Sequence, residues 1–586
     1  MALASSSTLA APATMARTMF FFPVRRCGIS RKGQLLTLVH RQPQPLANPS
    51  PTLSPTLSPR CHMRASDGSD ASDAAAGEAL PSTDGAQPIA DTGPDASTEF
   101  SALLTEFASD KAAMLRGGPR LLPSAKCAVT KHEQHVEVNM RFAHPRQRIL
   151  GFGGAMTHSS ASLILGHPAQ ERILDELFLP VEKGGSGLCC VRVAVGSSDF
   201  ALSPPFTHRS ERNSLFDASR DREHLLPVLS AAKLRNPHIQ LIGSPWSAPH
   251  FMKTSLSLNH GTLEEDSLLE YAQHLLQVIL FFAEEGLPLY AITLQNEPYH
   301  EAWSYPSMKL SAIMQARLGR ELVTRLRFSG LDTRVLGHDH NYDLVDDAVT
   351  MLRIGGDWLD GSAWHAYKGD PSAPAHEVIQ QHPIYFTEQT AHTQRPRDAD
   401  FVGDCNWAMR NVTLGPVLQG ARCALQWNLV LDEAFGPVLP GVDTKCRGLL
   451  EVSNGGSVLH EHERSPEWYV MAHMSHASAF GRWRVDTELH GLRDGRSGND
   501  KDAVACAGFI GEDRCAGVVL HNPGTATITV SLPQFTTSIF ELPGASILSI
   551  NRLHIAAEER LRIPPADEPK VRVSPDVHCR GDAGSR

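Results

Sequence analysis

Two glutamates stand where acid–base chemistry on a carbon centre could be done. Glu297 lies in Thr-Leu-Gln-Asn-Glu-Pro and Glu388 in Tyr-Phe-Thr-Glu-Gln-Thr, each directly after an apolar, strand-like run. Splitting a glycosidic bond calls for such a pair. One carboxyl protonates the leaving oxygen; in retaining enzymes the other attacks the anomeric carbon, the two groups lying ~5–5.5 Å apart. Taken singly, each glutamate also fits a rim or ion-paired residue. Polar and aromatic residues end neighbouring runs as well: Asp199, Trp246, Asn296, His365 and Trp427.

The elements that would position these residues are legible as a rhythm. Short runs rich in β-branched, aromatic and other apolar residues recur at Ile149–Gly153, Cys189–Val195, Ile239–Gly243, Leu289–Leu294, Thr333–Gly337, Ser362–His365, Ile384–Thr387 and Cys423–Asn428. Helical patterns fill most of the gaps. The clearest is Glu264 to Glu285, where Leu268, Leu269, Ala272, Leu275, Leu276 and Ile279 keep helical spacing, and Gly286-Leu287-Pro288 ends it. Eight such repeats predict an α/β chain built on a (β/α)8 TIM barrel over residues 149–440. Barrel active sites lie where strands end and the following loops begin. Beyond residue 440 the texture changes to short apolar segments cut by Asn-Pro-Gly and Pro-Gly. That predicts an appended β-sandwich over residues 441–562. The alternating His135–Met140 stretch, within a lead-in of residues 98–148, would supply its first strand or strands.

Composition narrows the function classes. The net charge is −10 with no basic cluster, which argues against a nucleic-acid partner. No run of ~18 apolar residues occurs to span a membrane. The 11 cysteines are scattered without a CxxC, so neither a zinc site nor a disulfide framework is read. His338-Asp339-His340 resembles a metal cluster, but adjacent strand residues point to opposite faces. His460-Glu461-His462-Glu463 lacks the spacing of a zinc helix. No metal or cofactor is expected. The first 66 residues lack Asp and Glu and carry Arg17, Arg25, Arg26, Arg31 and Arg41. Residues 1–97 therefore read as a transit-like leader with a disordered linker, and residues 563–586 as a disordered tail. A sequon, Asn411-Val412-Thr413, matters only in the secretory pathway.

The ordered set of segments resembles glycoside hydrolase family 30, and its glucosylceramidase branch in particular. The matching stretches are Gly151-Phe152-Gly153-Gly154-Ala155-Met156-Thr157, Arg192-Val193, Ser198-Asp199-Phe200, Ser244-Pro245-Trp246-Ser247-Ala248-Pro249, Asn296-Glu297-Pro298, Tyr385-Phe386-Thr387-Glu388 and Trp427-Asn428-Leu429. The resemblance implies Glu297 as acid/base and Glu388 as nucleophile. It implies Asn296 on the sugar 2-hydroxyl, with Asp199, Trp246 and Trp427 on the rest of the ring. Arg192, His365 and Tyr367 would support the nucleophile, and Tyr305 would sit near the acid/base. Glu297 should carry a raised pKa, through apolar surroundings and the negative Glu388 nearby.

Three departures from the family pattern stand out. His158 replaces the usual Asp, Ser203-Pro204-Pro205-Phe206 follows Asp199-Phe200, and His365-Ala366-Tyr367 replaces His-Trp-Tyr. They suggest an altered pocket rim. The leading expectation is hydrolysis of glucosylceramide, a glycolipid substrate met through peripheral contact with a membrane surface. A family 30 polysaccharide hydrolase, a β-1,6-glucanase or β-xylosidase, is the alternative. An inactive carbohydrate- or lipid-binding relative is the reading from another class. Lysosomal relatives use an activator protein, and no residue here marks a site for one. Targeting is to an organelle by the leader, or secretory and lysosomal by the resemblance.

Overall fold

The computed structural model describes residues 100–106, 120–121, 134–390, 400–453, 462–491, 503–557, 559 and 561–564. The expected leader, and the expected tail beyond residue 564, lie outside these residues.

Eight strands close a parallel barrel in chain order. They are β1 (Gly151–Ala155), β2 (Cys190–Val195), β3 (Gln240–Pro245), β4 (Leu289–Thr293), β5 (Arg334–Asn341), β6 (Gly361–His365), β7 (Ile384–Gln389) and β8 (Ala421–Gln426). Each coincides with one of the runs read from sequence, and β5 reaches further than its run. Continuous apolar stretches suit strands that are covered on both faces. At Gly153 a Cβ would meet the Cys190 carbonyl oxygen at 1.7 Å, so the approach of β1 to β2 admits only glycine there.

Side-chain alternation sorts the barrel interior into layers. Cys190, Ile242, Ala291, Leu336, Ala363, Tyr385 and Cys423 form an apolar plug. Two residues further along their strands stand Arg192, Ser244, Thr293, His365 and Thr387, all buried and all polar. Hydrophobic burial thus sits at the bottom of the barrel, and a polar layer faces its upper mouth.

Outside the barrel, helices such as Leu268–Glu284 and Ala312–Ser329 pack their apolar faces on the strands. Leu268–Glu284 is entered through a single turn at Glu265–Ser267, and Gly286 at φ 75° follows it as expected. The eighth helix is Pro466–Ser478, which packs against β1. The ring therefore runs on to residue 478, past the residue 440 expected from the change of texture. The intervening Leu450–Val452 pairs with Val430–Asp432 rather than with the second domain. That helix is buried on all sides, His473 and Glu467 included.

The second domain is a nine-stranded assembly. Ser101–Glu106, Arg120–Leu121 and His135–Arg141, all preceding the barrel, join strands that follow it. Trp483–His490 bends between two faces. Its residues 483–485 register with 508–510, and its residues 486–490 with 137–141. The appended β domain built from both sides of the barrel is thus as expected.

Candidate active site

The polar layer converges on Arg192. Its guanidinium donates to a Glu388 carboxylate oxygen, to Ser244 Oγ at 2.9 Å, to Asn296 Oδ1 at 2.7 Å and to Asp339 Oδ2 at 2.8 Å. Asp339 is the second hub. It also accepts from Ser244 Oγ at 2.7 Å, Thr387 Oγ1 at 2.7 Å and His365 Nε2 at 3.0 Å. Sequence reading did not single it out as a site residue. Strict alternation on β5 would turn His338 inward with Leu336. A register shift between His338 and His340, with positive φ at His338 (73°) and Asp339 (47°), aims Asp339 at the barrel axis instead. Such a bulge re-aims a side chain at the cost of local strain.

Glu297 follows β4, with its own φ at 43°. Its backbone N–H donates to the Asp339 carbonyl at 3.0 Å. Glu388 stands near the end of β7 and also accepts from Tyr367 Oη at 3.0 Å. His365 sits between the two acids, its Nδ1 at 3.3 Å from Glu297 Oε1 and 3.8 Å from Glu388 Oε1. The carboxylate oxygens of Glu297 and Glu388 and a nitrogen of His365 lie within 4.8 Å of one another.

The charges are arranged unequally. Burial opposes charge on His365, but Glu388, Asp339 and Glu297 outweigh it and push the imidazole up to about 9. Both ring nitrogens are then donors, to Asp339 and to Glu297. Burial alone would raise the Glu297 carboxyl. The hydrogen bond and charge of His365, with His340 and His300 beyond, bring it down to about 2. The Glu297 carboxyl is thus lowered where the sequence led to the expectation of a raised one.

The remaining residues of the sequence reading gather around this centre. A cavity of about 560 Å³ is lined by Asp199, Trp246, Asn296, Glu297, Tyr305, Tyr367, Glu388 and Trp427. That volume suits one or two sugar rings. Trp246 and Trp427 stack with centroids 5.1 Å apart, and the Arg192 guanidinium lies 4.9 Å from the Trp246 centroid. Tyr305 shares a hydrogen bond of 2.9 Å with His300. Asn296 Oδ1 is committed to Arg192, which leaves its NH2 to donate to a ligand. Burial, then the charge of Glu388, pushes Asp199 up to about 7. Arg192 and His365 line the floor rather than the open cavity. Sequence reading missed Tyr299, His300, Asp343 and Lys368 on the wall beside Glu297, which lie between the strands without periodicity, and read His340, at the bulged end of β5, only as part of a metal-like triplet.

The expected rim changes lie elsewhere. His158 and residues 203–206 do not line the cavity. His158 is buried, and its Nε2 meets Asp221 Oδ1 at 2.8 Å. Phe206 packs edge-on against His158 with centroids 5.1 Å apart. A larger cavity of about 1070 Å³ lies between the barrel's outer helices and the second domain. Its acids, Asp370 and Asp486, are respectively bound to the Ser372 backbone and paired with Arg146 and Arg484, so it holds no free acid pair.

Residues 149–477 match the family model of the glycosyl hydrolase family 30 TIM-barrel domain. An endo-1,6-β-D-glucanase of Neurospora crassa is 28% identical over 357 residues, 56% of this chain and 70% of that protein. A putative glucosylceramidase of Caenorhabditis elegans is 26% identical over 491 residues, 76% of this chain and 89% of that protein. A solved endo-β1,6-glucanase superposes with a TM-score of 0.66 at 25% identity, covering 78% of this chain and 99% of its own. Among the described residues, no helix is long and apolar enough to cross a membrane.

Proposed function

Because this chain belongs to glycosyl hydrolase family 30 and is a glycoside hydrolase, we propose that it cleaves β-glucosides with retention of configuration. The observation that carries the proposal is the approach of the two carboxylates, one oxygen of Glu297 lying within 4.8 Å of one oxygen of Glu388. That spacing suits direct attack; inverting enzymes hold their carboxyl groups ~6.5–9.5 Å apart to admit a water.

Glu388 is the nucleophile. Arg192 and Tyr367 donate hydrogen bonds to it and aim it at the anomeric carbon. Its oxygen forms an ester bond to that carbon as the bond to the leaving oxygen breaks. Glu297 delivers the proton to the leaving oxygen, and His365 Nδ1, 3.3 Å away, supplies that proton. Water then attacks the ester, gives its proton to Glu297 and releases the sugar. Asn296 donates to the 2-hydroxyl, while Asp199, Trp246 and Trp427 hold the rest of the ring.

The substrate we propose is a β-linked glucan, with β-1,6 linkage the first to test. On the Glu297 side the cavity wall is Tyr299, His300, Tyr305, His340, Asp343 and Lys368, with Leu344 as its aliphatic member. Such a wall suits hydroxyls better than an acyl chain. The N. crassa relative supports this. Glucosylceramide is the second reading, favoured by the length of the worm match, 89% of that protein.

Activity of purified protein on an aryl β-glucoside tests the mechanism. Glu388→Gln should lower kcat by roughly 10⁴-fold or more, and Glu297→Ala should hurt poor leaving groups about 10²-fold more than good ones. Near wild-type turnover by Glu388→Gln would sink the proposal. Assays on β-1,6-glucan and on glucosylceramide, side by side, decide the aglycone.

A further inference from the structure

Trp303 is out of place for a residue with only a structural task. Its side chain is 78% exposed, whereas Trp246, Trp364, Trp427, Trp468 and Trp483 are buried. It stands on the loop after β4, between His300 and Tyr305, which both line the catalytic cavity. Its ring packs on His260, with centroids 4.0 Å apart and planes inclined at 35°.

The loop that presents it is tied down. Asn259 Nδ2 donates to the Trp303 carbonyl at 2.8 Å, and the His260 N–H to the Ala302 carbonyl at 3.1 Å. Isolated bridges join Asn259 to Pro306 and Thr262 to Lys309. Beneath them lies Lys253, fully buried, whose ammonium donates to Ser247 Oγ at 2.8 Å and to the carbonyls of Leu258 and Ser307 at 2.7 Å each. The aromatic surface is thus held rigid, which removes the ordering cost of a later contact.

We infer that Trp303, backed by His260, is a distal binding site on the aglycone side, where a glucosyl unit beyond the scissile bond stacks. The inference rests on the assignment of Glu297 as the acid. The leaving group lies on the acid's side, and Trp303 is on the same loop. A pyranose offers an apolar C–H face to a ring and hydroxyls to its surroundings. Those surroundings are Asn259, His300 and the Glu301–Lys309 ion pair. A surface inserting into lipid would place several apolar groups or unpaired cations there; Leu256, 71% exposed, is apolar, but Lys309 is paired with Glu301.

The test is kcat/KM of wild type and Trp303→Ala on an aryl β-glucoside and on β-1,6-linked glucose oligomers of increasing length. On the aryl glucoside the variant should stay within about twofold. On the longer oligomers it should lose about tenfold, the contribution of one aromatic contact, and Trp303→Tyr should recover part of it. Equal losses at every length, or none, would overturn the inference. So would a loss confined to glucosylceramide in phosphatidylserine vesicles. Calorimetric binding of the longest oligomer judges the platform separately from turnover. A wild type inert on every glucoside would refute the catalytic reading, while Trp303-dependent binding would still support the platform and Trp303-independent binding would reject it.

Discussion

The barrel holds two buried clusters made of the same parts, and they do opposite things. At the mouth one imidazole, His365, lies among three carboxylates, Asp339, Glu297 and Glu388. Behind the loop after β2 one carboxylate, Asp221, lies between two imidazoles, His158 at 2.8 Å and His208 at 2.7 Å. In the first, both nitrogens of His365 are donors and the ring is a cation. In the second, each histidine needs only its Nε2–H, and both Nδ1 atoms are buried without a hydrogen-bond partner. The first opens on a cavity where a proton can be passed. The second is closed over by Phe206 and Phe216. Access to the cavity decides whether such a cluster can pass a proton or only hold a loop in place. The closed cluster fastens His208, and with it the loop that begins at Asp199.

Removing the central acid from each cluster should separate the two roles. Asp339→Asn takes one counter-charge from both Arg192 and His365, leaving Glu388 and Glu297. We expect kcat on an aryl glucoside to fall about 10³-fold. Urea unfolding should show a loss of about 3–5 kcal/mol, the cost of removing one partner from a buried, hydrogen-bonded ion pair. Asp221→Asn should cost about 3 kcal/mol, because burial alone would raise this carboxyl and its two histidines hold it well below the usual range. Its kcat per folded molecule should stay within about threefold. A folded Asp221→Asn protein that loses activity as Asp339→Asn does would erase the distinction.

The contrast also marks what the sequence could reveal. Eight apolar runs were enough for the barrel, since a parallel strand buried on both faces has few polar interruptions. Glu297 and Glu388 were visible because each ends such a run. Asp339 was not, because its inward aim comes from a bulge and positive φ angles rather than from alternation. Helix Pro466–Ser478 escaped notice because it is buried all round and shows no stripe. The carboxylate that holds His158 stands 63 positions further on, and only tertiary packing brings it there. A changed residue next to a site motif was therefore read as a changed rim, when it had changed the support behind a loop.

Asp199 sharpens the comparison from a third side, as a partly buried acid on the cavity wall with neither histidine nor arginine on its carboxylate. Its Oδ1 has no hydrogen-bond partner, and burial with the nearby Glu388 pushes its pKa up to about 7. The sign of its pH linkage is opposite to that of Asp221. The unfolded chain releases the Asp199 proton near pH 3.8, before the folded one does, so stability is lost as pH rises from there to about 7. Asp199→Asn should therefore stabilise the fold at pH 8 and leave it unchanged at pH 4. The full shift implies about 4 kcal/mol. Water reaching the cavity-facing carboxylate should reduce the gain to about 1–2 kcal/mol, seen as a raised Tm at pH 8. A variant less stable than wild type at pH 8 would mean that Asp199 has a cationic partner after all. A gain at pH 8 accompanied by a raised KM for the aryl glucoside would show that this uncompensated charge is kept for the sugar, as the compensated charge of Asp221 is kept for the fold.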